Sequence, residues 1–149
     1  LGTPRQHIAN AIAAFYASPH FANVTASSLY QSKAFGVTDQ PDFSNAVVKV
    51  DTDLAPLALL DFCQSLESAA KRTRLRHWGE RSLDVDVLLY GDDTINNARL
   101  VVPHEGLFAR NFVLIPMLEL DPTLMVNGQK LADLPTSQQW QGLEKLTGV

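Results

Sequence analysis

The stretch Ser82-Leu83-Asp84-Val85-Asp86-Val87-Leu88-Leu89-Tyr90, closed by Gly91-Asp92-Asp93, decides how the chain is read. Apolar and acidic residues alternate through its first half, which is the period of a strand with one buried face. Leu83, Val85, Val87 and Leu89 then point into a core. Asp84 and Asp86 share the opposite face, roughly 6.6 Å apart by the rise per residue. Like charges side by side on one strand face repel. A divalent cation removes the repulsion, and hard carboxylate oxygens select Mg²⁺ or Ca²⁺. A solvated polar face is the alternative.

Immediately upstream runs Lys71-Arg72-Thr73-Arg74-Leu75-Arg76-His77-Trp78-Gly79-Glu80-Arg81, which holds five of the chain's 12 Lys and Arg residues. Arginine forks match phosphate oxygens bidentately, and Trp78 offers an aromatic face or a lid. A solvated basic loop is the bland alternative. Adjacency favours the sharper reading, because a basic loop that runs into a carboxylate pair is the equipment for moving a phosphoryl group. No P-loop pattern is present, so this is a different kind of nucleotide site. Pro103-His104 with Arg110 forms a third cluster. Phe43-Ser44-Asn45 sets an aromatic ring beside an amide that can both donate to and accept from the edge of a heterocycle. Taken alone, His104 reads as structural, and Phe43 with Asn45 as the start of a strand.

Working outward, Thr3-Pro4-Arg5-Gln6 is a helix start, with Ile8, Ala11, Ile12 and Phe15 at helical spacing and Ser18-Pro19 as the stop. Val24 to Ser32 is β-prone, 33–42 is a loop, and Asn45 to Asp51 alternates as a strand. A second helix opens at Ala55-Pro56 and carries Leu59, Leu60, Cys63 and Leu66 on one side. Leu100 to Pro103 is a short extended piece. Asn111 to Leu120 is apolar nearly all round, a buried helix or strand that Pro116 bends or breaks. Asn127-Gly128 centres a hairpin over Leu124 to Leu131, and Gln138 to Leu146 is expected as a terminal helix. The order helix, strand, strand, helix, strand predicts an α+β fold. It is a ferredoxin-like β-α-β-β-α-β plait whose first strand is missing, extended by a C-terminal hairpin and helices.

Composition sets the outer limits. The chain has 149 residues, 46% of them hydrophobic and 19% charged, so a single domain over 1–149 with a full core is expected. A net charge of −4 opposes general binding to nucleic acid or anionic membrane. No apolar run approaches the roughly 18 residues of a membrane span. The single cysteine, Cys63, excludes an internal disulfide and a Cys-based zinc site, and reads as a buried thiol in a reducing, cytoplasmic setting. The chain starts at Leu1 with no signal-peptide pattern, and a trimmed chain or a longer parent is expected.

With these residues on the page, the sequence resembles the 6-hydroxymethyl-7,8-dihydropterin pyrophosphokinases of folate biosynthesis from Leu1 to about Leu124. The most specific match is Arg72-Thr73-Arg74 followed by Trp78-Gly79-Glu80-Arg81-Ser82-Leu83-Asp84-Val85-Asp86. Supporting matches are Asp39-Gln40-Pro41-Asp42-Phe43-Ser44-Asn45, Val102-Pro103-His104 and Arg110-Asn111-Phe112. The resemblance implies transfer of pyrophosphate from ATP to the hydroxymethyl group of the pterin, with release of AMP. It implies two Mg²⁺ ions on Asp84 and Asp86, with Arg72 and Arg81 neutralising phosphate charge. ATP would further meet Glu67, Arg74, His77, His104 and Arg110. The pterin would lie between Phe43 and Phe112, with Asn45 at its edge and Ser32, Phe35 and Trp78 around it. Arg74 and Trp78 would ride a loop that closes over both substrates and excludes water. No nucleic acid and no membrane are implied as partners, and a monomer is expected.

The sequence also departs from the family pattern. Lys33-Ala34 replace a usual Pro-Pro, which makes that loop less rigid and more basic. His77, Glu80 and Glu105 stand where Arg, Pro and Tyr are usual. A protein of the same fold that binds ATP or pterin with little turnover is the alternative function. A ferredoxin-like RNA-binding module is a third, opposed by the acidic charge and by the lack of an RNP1-like aromatic pattern.

Overall fold

A computed structural model describes residues 4–32, 43–72, 83–140 and 143–146. In chain order the elements are α1 (Pro4–Ala17), β1 (Phe21–Ala26), β2 (Leu29–Ser32), β3 (Phe43–Asn45), β4 (Val48–Thr52) and α2 (Pro56–Arg72). They continue with β5 (Ile95–Asn96), β6 (Val101–Val102), α3 (Asn111–Leu120), β7 (Met125–Val126), β8 (Gln129–Lys130) and β9 (Leu143–Leu146). The chain divides into two compact units, residues 1–24 with 50–104 and residues 25–49 with 105–149. The fold is α+β with small antiparallel pairings.

In the first unit, α1 starts at Pro4, whose fixed φ suits the first helical position, and ends before Ser18-Pro19, where the residue preceding proline is steered out of the helical region. Its apolar stripe buries Ala11 and Phe15. The stripe of α2 buries Leu59, Leu60, Cys63 and Ala70. Phe15, Phe21 and Phe62 meet as a triangle with ring centroids 4.9–5.2 Å apart, near edge-on, which is the arrangement the ring quadrupoles favour. This cluster ties α1, β1 and α2 together. Strand β1 pairs with β4. Asn23 Nδ2 donates to Asp51 Oδ2 at 2.7 Å, and the Asp53 N–H donates to the His20 carbonyl.

The second unit is built on the antiparallel order β3-β2-β9. Tyr30 stands opposite Asn45 on one side and Lys145 on the other. Helix α3 buries Leu114, Ile115, Pro116 and Met117. Pro116 sits inside it and removes one i→i−4 donor, yet the segment remains helical from Asn111 to Leu120. Tyr30, Ile115 and Leu143 form a buried cluster with Phe112 packed against it. Asn127 (φ 54°) and Gly128 (φ 77°) both adopt the left-handed conformation, as a type I′ turn needs, and join β7 to β8 in the expected hairpin.

Three expectations are corrected. The terminal helix over Gln138–Leu146 is a short 3₁₀ turn at Pro135–Gln138 followed by strand β9, because Leu143–Leu146 finds the free edge of β2. The single strand over Asn45–Asp51 is two strands, β3 and β4, which pair with different partners. Residues 83–90 hold no assigned strand, although burial alternates as expected from Leu83 to Val87. Val87 is buried, Leu83 and Val85 are half-buried, and Asp84 and Asp86 are exposed. Alternation is a property of side chains, whereas a strand needs a neighbour to supply its ladder. Among the described residues no strand pairs with this segment. Their pairings fall into four small groups, so the ferredoxin-like order is not seen among them.

Candidate active site

The acidic segment belongs to the first unit. Its backbone is held from two directions. The Val85 N–H, between the two aspartates, donates to Glu67 Oε2 at 2.6 Å, reaching across to α2. The Leu88 carbonyl accepts from the His104 N–H at 2.9 Å. His104 Nε2 also lies 4.0 Å from Asp86 Oδ2. Glu67, Asp84, Asp86 and His104, named separately from the sequence, are thus neighbours around one short segment. Glu67 commits one oxygen to holding backbone, which fixes the stretch that carries both aspartates. Cys63 lies beneath them, only 3% exposed. Burial pushes its thiol up to about 12, and the nearby carboxylates of Glu67 and Asp86 add to the shift. It is a structural thiol, as the sequence suggests.

Two exposed carboxylates offer hard oxygens at one surface, which suits Mg²⁺. This ion is usually held by one or two carboxylates and completed by water and substrate phosphates. Among the described residues no group of three or more His, Cys, Asp or Glu converges as a ready-made metal cage.

The second unit carries the aromatic part. Phe112 opens α3 and Asn45 ends β3. The Arg110 guanidinium carbon lies 5.9 Å from the centre of the Phe112 ring, a cation–π distance. Gly106 makes room for it, since a Cβ at 106 would collide with Nε and Cζ of Arg110. Ser32, Phe43 and Arg72 are described in backbone only, with Ser32 opposite Phe43 in the β2–β3 ladder. Phe35, Arg74, His77, Trp78 and Arg81 lie outside the described residues.

One group went unnoticed in the sequence. Glu119, near the end of α3, accepts from the Ser28 N–H (2.8 Å) and the Ser28 hydroxyl (2.9 Å) on Oε2, and from the Tyr30 hydroxyl (2.6 Å) on Oε1. Burial alone would raise its carboxyl, but the bonds from Tyr30 and Ser28, with Lys145 nearby, hold it below the ordinary range. Tyr30 is pushed far up by burial, then by its bond to that carboxylate. The available signal was that Glu119 is the one charged residue in an otherwise apolar helix. An open cavity of about 340 Å³ lies beside it, lined in part by Tyr30, Ile115, Leu118, Trp140 and Lys145.

Comparison with known proteins shows the family. The model of the family 7,8-dihydro-6-hydroxymethylpterin-pyrophosphokinase matches residues 1–122. A 2-amino-4-hydroxy-6-hydroxymethyldihydropteridine pyrophosphokinase from Haemophilus influenzae is 44% identical over 135 residues, covering 90% of this chain and 84% of that one. Its namesake from Pseudomonas aeruginosa is 42% identical over 150 residues, covering 100% and 93%. That from Methylorubrum extorquens is 36% identical over 146 residues, covering 98% and 92%. The chain belongs to the 7,8-dihydro-6-hydroxymethylpterin-pyrophosphokinase family. No helix among the described residues is long and apolar enough to cross a membrane.

Proposed function

We propose that the protein transfers pyrophosphate from ATP to the hydroxymethyl group of 6-hydroxymethyl-7,8-dihydropterin, releasing AMP, as a folate-pathway enzyme acting through one domain over 1–149. The observation that carries the reading, in a chain of this family, is the exposed pair Asp84 and Asp86 on a backbone fixed by Glu67 and flanked by His104.

The hydroxymethyl oxygen attacks the β-phosphorus in line. A new P–O bond forms there as the bond to the bridging oxygen breaks, that oxygen leaves with AMP, and the hydroxyl proton passes to water, with no covalent enzyme intermediate. Asp84 and Asp86 would hold two Mg²⁺ ions, which supply positive charge against the phosphate oxygens. Arg72 and Arg81 share that neutralisation, with Arg74, His77, His104 and Arg110 on the nucleotide. Glu67 serves by fixing Val85, and through it both aspartates. Phe43 and Phe112 sandwich the pterin and Asn45 reads its edge. Ser32 and Phe35 line the pocket, and Trp78 closes over it. The protein acts in the cytoplasm as a monomer.

The test is AMP release from ATP with and without the hydroxymethyl-dihydropterin, in Mg²⁺ and in EDTA. The expected result is AMP that requires the pterin and disappears in EDTA. AMP formation indifferent to the pterin, or none from folded protein, overturns the reading.

A further inference from the structure

We infer that Glu119 and Tyr30 are positioning residues for the pterin pocket, a role that rests on the reaction proposed above. The pocket's described residues come from the β2–β3 pair and from α3, which lies far along the chain from it. Phe112 rides on the first turn of α3, and Asn45 on β3, held in place by its pairing with β2 at Tyr30. A sandwich or edge-reading site works only if helix and sheet keep a fixed spacing, because reacting groups misplaced by about 1 Å cost heavily in rate and affinity.

Apolar contact between Ile115, Tyr30 and Leu143 sets the helix against the sheet but leaves it free to slide. Directional bonds stop sliding, and Glu119 supplies three of them to β2 and the residue before it. Both carboxylate oxygens are engaged, and an ionised acceptor makes such bonds shorter and stronger. Glu119 lies seven residues, about two turns, beyond Phe112 on the same helix, which stays helical through Pro116, so a shift at the clamp moves the ring with it. Neither Glu119 nor Tyr30 is assigned a contact with ATP or pterin in the proposed reaction.

The experiment compares wild type with Glu119→Gln and Tyr30→Phe, the second of which removes only one hydroxyl donor from the clamp. Steady-state kinetics are read with each substrate varied in turn. The expected result is a KM for the pterin raised about tenfold in Glu119→Gln and severalfold in Tyr30→Phe, with the KM for ATP within twofold of wild type. The double variant should be little worse than Glu119→Gln, since Tyr30→Phe removes one of the bonds that loss of the carboxylate charge already weakens. Without substrate, amide hydrogen exchange in β2, β3 and the first turns of α3 should quicken in Glu119→Gln. Equal rises in both KM values, or an unchanged pterin KM in a wild type that turns over, overturns the positioning role alone. A wild type with no pterin-dependent AMP overturns the reaction itself, and shows this before any variant is made.

Discussion

Two acidic sites in this molecule are handled in opposite ways. In the first unit, Asp84 and Asp86 stand exposed two residues apart while their backbone is pinned beneath them by Glu67 and His104. In the second, the side chain of Glu119 is itself pinned, with each oxygen taken up by donors from Ser28 and Tyr30. A carboxylate whose lone pairs are filled by the protein is structural. The exposed Asp84 and Asp86, on their fixed backbone, are the pair proposed above to hold the metal. The type of residue does not distinguish the two cases, but the side-chain and backbone partners do.

The contrast is broken or sharpened by substitution. The largest effect is expected for Asp84→Ala or Asp86→Ala. Metal-borne charge stabilisation is worth several kcal/mol at about 1.4 kcal/mol per tenfold, so turnover should fall about a thousandfold. The melting temperature should hold, since surface substitutions usually stay within about 0.5 kcal/mol. Near wild-type turnover in either variant would remove the metal assignment.

Glu119→Gln should behave in the reverse sense in a denaturation experiment. Hydrogen bonds to a charged group contribute about 1.5–3 kcal/mol when buried, and part of that should be lost at this more exposed site. The sign of its pH dependence follows from the lowered carboxyl. The stabilisation is fully present above the ordinary value of 4.5 and is lost as pH falls below it and Glu119 takes up a proton. Thermal melts from pH 6 to pH 3 should therefore fall more steeply for wild type than for the variant. Parallel curves would mean that the clamp contributes nothing through its charge.

Glu67→Gln tests the hinge between the two cases, since this acid acts on backbone that carries other acids. Glutamine keeps one acceptor for the Val85 N–H but loses the charge that strengthens the bond, so the Mg²⁺ concentration needed for half-maximal rate should rise, by less than the roughly tenfold typical of a lost supporting partner. The smallest effect is at Cys63. With its thiol raised to about 12 and buried, it should label slowly with a thiol reagent at pH 8. Labelling should quicken slightly in Asp86→Asn, which removes one of the negative charges acting on it. Fast labelling of wild type would contradict its burial.

Local signals in the sequence translated well where the element is decided by neighbours in the chain. Pro4 and Ser18-Pro19 bound α1, the stripe through Leu59 and Cys63 marks α2, and Asn127-Gly128 marks the hairpin. Elements decided by distant partners were harder. Leu143–Leu146 has a composition that a helix could accept, and only the edge of β2 makes it a strand. The acid pair was legible because alternation is local, and its exposure follows the expected pattern. The clamp was not legible, because Glu119 lies about ninety positions from Ser28 and Tyr30 and none of the three belongs to a motif.

The register Leu29↔Leu146 has a consequence for biosynthesis. Strand β9 is the last of the described elements to leave the ribosome, while β2 is among the first. Until β9 arrives, β2 shows an open edge beside Tyr30, and an unpaired edge of this kind invites pairing with another chain. All residues of the first unit precede Glu105 and emerge before the second unit is complete. The second stays incomplete until β9 has left the ribosome, so its nascent form is the stage at which a chaperone would matter most.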